Sequence, residues 1–348
     1  MSTISTTPGE PTRRQLLAGT LGGALAIALA SCGGSTSSKS ERAALKFTIT
    51  HWPVLVNAVP FVVAMKKGYF SEEGIDVDKI ISAEGGGTTV RNVVTGGIPI
   101  GDVATPAAVD GFRARADIRI IGTSIGTAED FVWVARPNSG INSIEDVVGK
   151  TAGFTNPGSA TEGQLYLSLD AAGVPRNEVK VVATGGVSES LTALKKKAID
   201  VAGILEPVFT MSGGDKAFDV AFWVKDYVPN FTSTVLISTS SYLEDDPDVV
   251  RAFLRARANA VDFIQQNPEE AAALWAPVAD VEPAVAKKVL VNLDLDTYLG
   301  VGFDAKGLQG VDDLIRVLGQ ERAPWEKLIV QDYLPRGVKR IDPNMGGA

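Results

Sequence analysis

Residues capable of covalent or metal chemistry are scarce in this 348-residue chain, which has one histidine, His51, and one cysteine, Cys32. A Cys/His nucleophile pair, a cysteine-rich zinc site and a disulfide within the chain all lack their parts. Three loop fragments fail on spacing. Gly149, Lys150 and Thr151 end like a phosphate loop, but Ile144 stands where its first glycine belongs. Gly85, Gly86 and Gly87 lack the third spaced glycine of a dinucleotide turn, because Val90 occupies it. Asp294 and Asp296 begin like a calcium loop, yet Tyr298 and Leu299 replace the next oxygen ligand and the required glycine. No catalytic residue, metal ligand or cofactor is expected.

What remains is binding chemistry. Short segments rich in Gly, Ser, Thr and Asn follow apolar strand-like runs, at 52–57, 84–89, 105–106, 156–161 and 184–188. Glycine lets a ligand approach the backbone, and unpaired N–H groups at a helix start attract anions. The candidate ligand contacts are therefore Trp52, Asn57, Gly86, Gly87, Thr88, Thr105, Asn156, Ser159, Thr161, Gly186, Ser188 and Glu206. Ser, Thr and Asn at such places are also ordinary helix caps. Glu206, before Pro207, either favours a helix start electrostatically or binds an ammonium group. Trp52 suits an apolar ligand wall, Trp133 core packing, and Arg91 a solvent-facing position one turn into the helix after the Gly triplet. His51 is a weaker contact candidate.

The elements that must position these residues alternate between strand and helix. Strands are expected at 46–50, 75–81, 100–104, 118–123, 131–135, 151–154, 180–182, 201–204, 220–224 and 234–238. A helix over 59–67 should stop at Gly68, and another should cover 160–172. From Pro247 the apolar residues Val250, Phe253, Leu254, Ala260, Val261 and Ile264 recur at helical spacing, and further helices are expected at 268–275, 283–290 and 308–318. A shift of 100 residues aligns Ala83 with Ala183, Gly85 and Gly86 with Gly185 and Gly186, Thr88 with Ser188 and Val94 with Leu194. One residue of slippage brings Pro106 onto Pro207. This describes an α/β protein of two lobes, each a mostly parallel sheet flanked by helices, with a ligand cleft between them. The expected crossings lie near 136–138 and 229–232, giving lobe 1 as 45–135 plus 233–348 and lobe 2 as 136–232.

The N-terminal segment reads as an address. Arg13 and Arg14 precede fifteen apolar or small residues, 16–30, too few to span a bilayer core, which takes about 20. This is the form of an export signal, 1–31, and the paired arginines favour the twin-arginine route. Leu29, Ala30, Ser31 and Cys32 resemble a bacterial lipobox. On that likeness Cys32 carries the lipid, and 32–44 link it to the folded part. The net charge of −8, with no basic run longer than Lys195–Lys197, disfavours a nucleic-acid partner.

Pro60, Phe61, Ala64, Lys67, Gly68, Tyr69, Phe70, Glu73 and Gly74, followed by Ile75, Asp76 and Val77, resemble the signature of ABC-importer binding proteins for sulfonates, taurine, nitrate and thiamine-precursor pyrimidines. The likeness continues through Gly97–Asp102, Ile144–Gly153, Ala172–Gly173 and Glu206–Pro207. It implies the type II periplasmic-binding fold closing on one small, anionic, sulfonate- or taurine-like ligand, which is handed to permease subunits in the membrane. It also implies an exported monomer, lipid-anchored to the cell membrane, that does no chemistry. The rivals are an enzyme on the same fold, of the pyrimidine or menaquinone biosynthesis type, and a ligand-sensing lipoprotein.

Overall fold

The structure, a computed structural model, describes residues 42–344; Arg13, Arg14 and Cys32 lie outside them. The first half runs β1 (Ala43–Thr50), α1 (Val59–Lys67), α2 (Tyr69–Glu72), β2 (Ile75–Ala83), α3 (Gly86–Val94), β3 (Ile100–Ala104), α4 (Thr105–Arg113) and β4 (Arg119–Ile125). Gly68 stops α1 at φ 83°, its N–H returning to the carbonyls of Ala64 and Met65, because an L side chain would be strained in that left-handed turn.

The second half continues with β5 (Phe131–Ala135), β6 (Thr151–Phe154), α5 (Ala160–Ala171), β7 (Lys180–Ala183), α6 (Val187–Lys195), β8 (Val201–Leu205), α7 (Val208–Met211), β9 (Asp219–Trp223) and β10 (Thr234–Ser238). Two five-stranded sheets result, ordered β2-β1-β3-β10-β4 and β7-β6-β8-β5-β9. The 100-residue repeat is visible in that order, since β2, β1, β3 and β4 occupy the places of β7, β6, β8 and β9. In each sheet the fourth strand, β10 or β5, is antiparallel to both neighbours. It is the strand that arrives from the other half.

This exchange corrects the lobe boundary. The sequence places Phe131–Ala135 in lobe 1, but the strand pairs with β8 and β9 in the second sheet. The chain crosses at 126–130 rather than at 136–138 and returns through 224–233. A run of apolar residues reports a buried strand but not its partner.

The tail comprises α8 (Ser240–Asp245), α9 (Pro247–Gln266), α10 (Pro268–Ala279), α11 (Pro283–Asn292), α12 (Leu295–Tyr298), α13 (Ala305–Val317) and α14 (Trp325–Leu328). α9 packs on α1, α2 and β2, and Phe253 meets Phe47, Phe61 and Phe70 at ring-centroid distances of 5.3–6.0 Å. Burying each such ring stabilises by roughly 1.5–3 kcal/mol. The sequence groups the tail with the first lobe, and α13 reaches further: it lies against both α4 and α5. Gly163 of α5 makes that approach possible, because a Cβ there would collide with the buried Leu314 side chain. One apolar core therefore runs from the first sheet through α13 into the α5 face of the second. The α6/α7 face has its own smaller core.

Candidate functional site

The strand registers place the two sets of loops on one crevice. Thr234, the first residue of β10, lies opposite both Ala104 and Ile125, the last residues of β3 and β4. Phe131, opening β5, lies opposite Leu205, which ends β8, and the next residue, Val132, lies opposite Trp223, which ends β9. Both crossings thus join the C-terminal edge of one sheet to that of the other. The outgoing link of 126–130 spans at most about 18 Å when extended. The helix starts and glycine turns that follow β1, β2, β3, β6, β7 and β8 consequently converge on the space beside the crossings. Two connections secure this geometry in equivalent places. After β3, Thr105 N–H donates to the Ser233 carbonyl at 3.0 Å; after β8, Glu206 N–H donates to the Asp130 carbonyl at 3.0 Å.

On the first lobe, α3 begins at Gly86 with no acidic residue in its first turn. A Cβ on Gly86 would stand 2.5 Å from Ala107 Cβ, so this glycine serves the close packing of α3 on α4. Gly87 is exposed. Arg91 is solvent-facing and folds back, donating to Thr88 Oγ1 at 2.8 Å, with a terminal nitrogen beside Gly87. Among the described residues Arg91 forms no ion pair, leaving its charge available at the start of α3. Trp52 is half-buried. Its carbonyl accepts from Ser82 Oγ at 3.0 Å, and the next carbonyl, of Pro53, accepts from Trp275 Nε1 at 3.0 Å. His51 beside it is exposed, at φ 57°.

Two candidates on this lobe are committed to the scaffold. Thr105 Oγ1 donates to the Thr232 carbonyl at 2.7 Å and is fully buried. Asn57 is also buried, donating to Asp102 Oδ1 at 3.2 Å. Asp102 bonds Ser124, whose hydroxyl and carbonyl receive Arg257 at 3.1 and 2.8 Å. Burial pushes the Asp102 carboxyl up to about 6, against the pull of Ser124 and Arg257, and lowers Arg257 to about 10.

The second lobe presents the opposite polarity. Ser159 caps α5, accepting Glu162 N–H at 3.3 Å. Thr161 Oγ1 lies 2.9 Å from Ser159 Oγ and 2.8 Å from Thr155 Oγ1. Glu162 turns back to accept Gly158 N–H at 2.6 Å, and Asn156 Nδ2 joins the two loops through the Gly185 carbonyl at 3.0 Å. At α6 the carboxylate of Glu189 folds over Gly186, where an added Cβ would strike it, while Ser188 stays exposed. Both helix starts are thus already covered by their own glutamates. Glu206 is 7 % exposed and accepts Thr210 N–H and Oγ1–H at 3.1 and 2.8 Å; burial raises its carboxyl above the usual range despite those bonds. Trp133, as expected, is core, stacked 5.2 Å from Phe222.

Concavities of about 860 and 590 Å³ lie elsewhere, one between α5, α13 and the return crossing and the other between the two crossings and residues 299–304. None of the twelve candidate contacts lines either. Sequence reasoning missed Arg257, whose partners are distant in the chain; a charge on the helix face otherwise formed by Val250, Phe253, Leu254, Ala260, Val261 and Ile264 was the one available signal.

Residues 56–271, more than half of the chain, match the family described as NMT1/THI5 like. This chain belongs to the NMT1/THI5-like family. The formylaminopyrimidine-binding protein of Halalkalibacterium halodurans is 28% identical to this family member over 70% of the chain and 73% of its own length. A putative aliphatic sulfonates-binding protein of Bacillus subtilis is 26% identical, over 78% and 81%. The fold of this NMT1/THI5-like chain is that of the alkanesulfonate-binding protein SsuA from Xanthomonas axonopodis pv. citri, solved bound to MOPS. The TM-score is 0.70, with 15% identity, covering 84% of this chain and 99% of that one.

Proposed function

We propose that this protein is the extracytoplasmic solute-binding component of an ABC importer, taking one small ligand with an anionic group between its lobes and delivering it to permease subunits. The observation that carries this reading is the pair of crossings that turn the C-terminal edges of both sheets toward one crevice. A ligand touching both edges stabilises the closed arrangement by its differential contacts. The start of α3, with Arg91 beside it, receives the anion, because its first turn carries no acidic residue and has a cation at hand. A small sulfonate fits that chemistry, and binding proteins for sulfonates and for a pyrimidine are among the relatives.

Export by 1–31, a lipid on Cys32, lobes of 42–125 plus 234–344 and 131–223, and a monomeric state complete the proposal. An enzyme of the thiamine-pyrimidine type on this fold would rely on cysteine-rich and histidine-bearing motifs that the sequence lacks. The test is a thermal-shift screen of the mature protein over small sulfonates, carboxylates, nitrate and pyrimidines, with small-angle scattering on any hit. A stoichiometric hit that raises Tm and compacts the particle is expected; turnover, or binding without compaction, contradicts the clamp. Cys32→Ser should release the protein into soluble fractions, and unchanged membrane retention would reject the anchor.

A further inference from the structure

The cavity of about 590 Å³ between the two crossings has the size of a small-molecule site, about 300–1,000 Å³. Thr123 at the end of β4, Thr127 on the outgoing crossing and Thr232 on the return crossing all line it, and the Oγ1 of each is buried with no hydrogen-bond partner. Thr123 is 3 % exposed and Thr232 1 %. The wall beside each of those two is a lining glycine, which has no side chain to offer. A Cβ on Gly300 would strike the Thr123 side chain, and one on Gly307 would stand 2.5 Å from Thr232 Oγ1. Hydroxyls taken from water in this way cost free energy that no protein group returns. The charges around the cavity do not select an ion of either sign, since Lys225, Lys306 and Lys339 are matched by Glu129, Asp296 and Asp304. Lys339 pairs with Asp304, and Lys225 faces Glu129. Among the described residues no group of three carboxylates, histidines or cysteines is arranged to hold a metal ion. Val228, Leu299 and Val301 complete the lining with apolar surface.

We propose that this hinge cavity is a second small-molecule site, for a neutral polyol, and that its occupant stiffens the two crossings. A threonine hydroxyl carries one donor and two lone pairs, so the group that answers both is another hydroxyl. A chain or ring of carbons bearing several hydroxyls satisfies the three threonines together and lays its C–H surface on the apolar part of the wall. Both crossings line the cavity, so an occupant resists their movement past one another, and the amides of 126–130 and 224–233 open less often while it is bound. The site shares none of the twelve crevice candidates, and it stands whether or not the crevice takes an anion.

The experiment is calorimetric titration of the mature protein with sorbitol and with myo-inositol, followed by amide hydrogen exchange with and without the tighter of the two. Millimolar probe keeps clear of the general stabilisation by excluded polyols. One equivalent should bind with a Kd of about 1 mM or tighter, and exchange should slow in 126–130 and 224–233. The double variant Thr123→Val/Thr232→Val keeps the shape and removes two hydroxyls. It should bind about tenfold more weakly or worse, while its Tm without probe stays at or above that of the wild type, because the lost groups had no partner. Should the double variant not fold, Thr127→Val decides, with a loss of about threefold or more. No binding at about 10 mM of either probe would mean that the cavity holds only water, as a polar cavity of this size can, and overturns the proposal. Undiminished binding by the variants overturns it too, as does slowed exchange confined to the crevice turns at 84–89 and 156–161.

Discussion

Arg257→Met offers a sharp test of how the crevice edge is held. Arg257 is fully buried on α9, over the Phe61 ring at 5.5 Å, and donates to the carbonyls of Thr123 (3.4 Å), Ser124 (2.8 Å) and Gly300. Thr123 and Ser124 lie at the end of β4, just before the outgoing crossing, and Gly300, beyond α12, donates its N–H to the Ser124 carbonyl beside them. Methionine keeps much of the volume, so the loss comes from orphaned acceptors and from Asp102, left in the core without its nearby positive charge. Removing one member of such a buried charge arrangement costs about 3–5 kcal/mol. For a chain of this size that lowers Tm by about 6–10 °C. The pH dependence separates the two causes. Asp102 titrates at about 6 folded against 3.8 for an unperturbed carboxyl, so the folded state binds the extra proton and stability falls as pH rises through that interval, by about 3 kcal/mol in all. Without Arg257 the folded value rises further and the interval extends upward. Differential scanning calorimetry should therefore show a larger deficit at pH 8 than at pH 5. A deficit below about 1 kcal/mol at pH 8, or a larger one at pH 5, would refute the reasoning.

Arg91→Gln should weaken anionic ligands by about tenfold while leaving Tm within a degree or so, because the side chain is exposed; calorimetric titration with a sulfonate hit checks both halves. Gly163→Ala should destabilise by about 1–3 kcal/mol, because the new methyl meets Leu314 where α5 lies on α13, and chemical denaturation reads the loss. Ser159→Ala should cost about 1 kcal/mol as a lost cap of α5, and denaturation should show it with no ligand present.

Much of the scaffold was legible because its signals are local. The period of apolar residues separates β1 from α1 within a few positions, Gly68 marks a left-handed stop whatever surrounds it, and the 100-residue repeat carries the same strand-turn-helix grammar into both lobes. The absence of paired cysteine and histidine could likewise be read at once. Partnership was not legible, for a physical reason: hydrogen bonding and burial are satisfied by any strand or helix of suitable pattern, and the residues that choose between them lie far apart in sequence. Phe131–Ala135 has the pattern of a strand in either sheet, and only the folded chain places it beside β8. Thr105 and Asn57 carry groups suited to a ligand, yet the return crossing and Asp102 take them first. Asp130 and Glu206 are 76 positions apart, and nothing in either neighbourhood announces that antiparallel pairing makes these two buried residues cross-strand neighbours. Residue types alone pointed to binding; the crossing of two strands between two sheets decided which of those residues the scaffold takes for itself, as it takes Thr105 and Asn57.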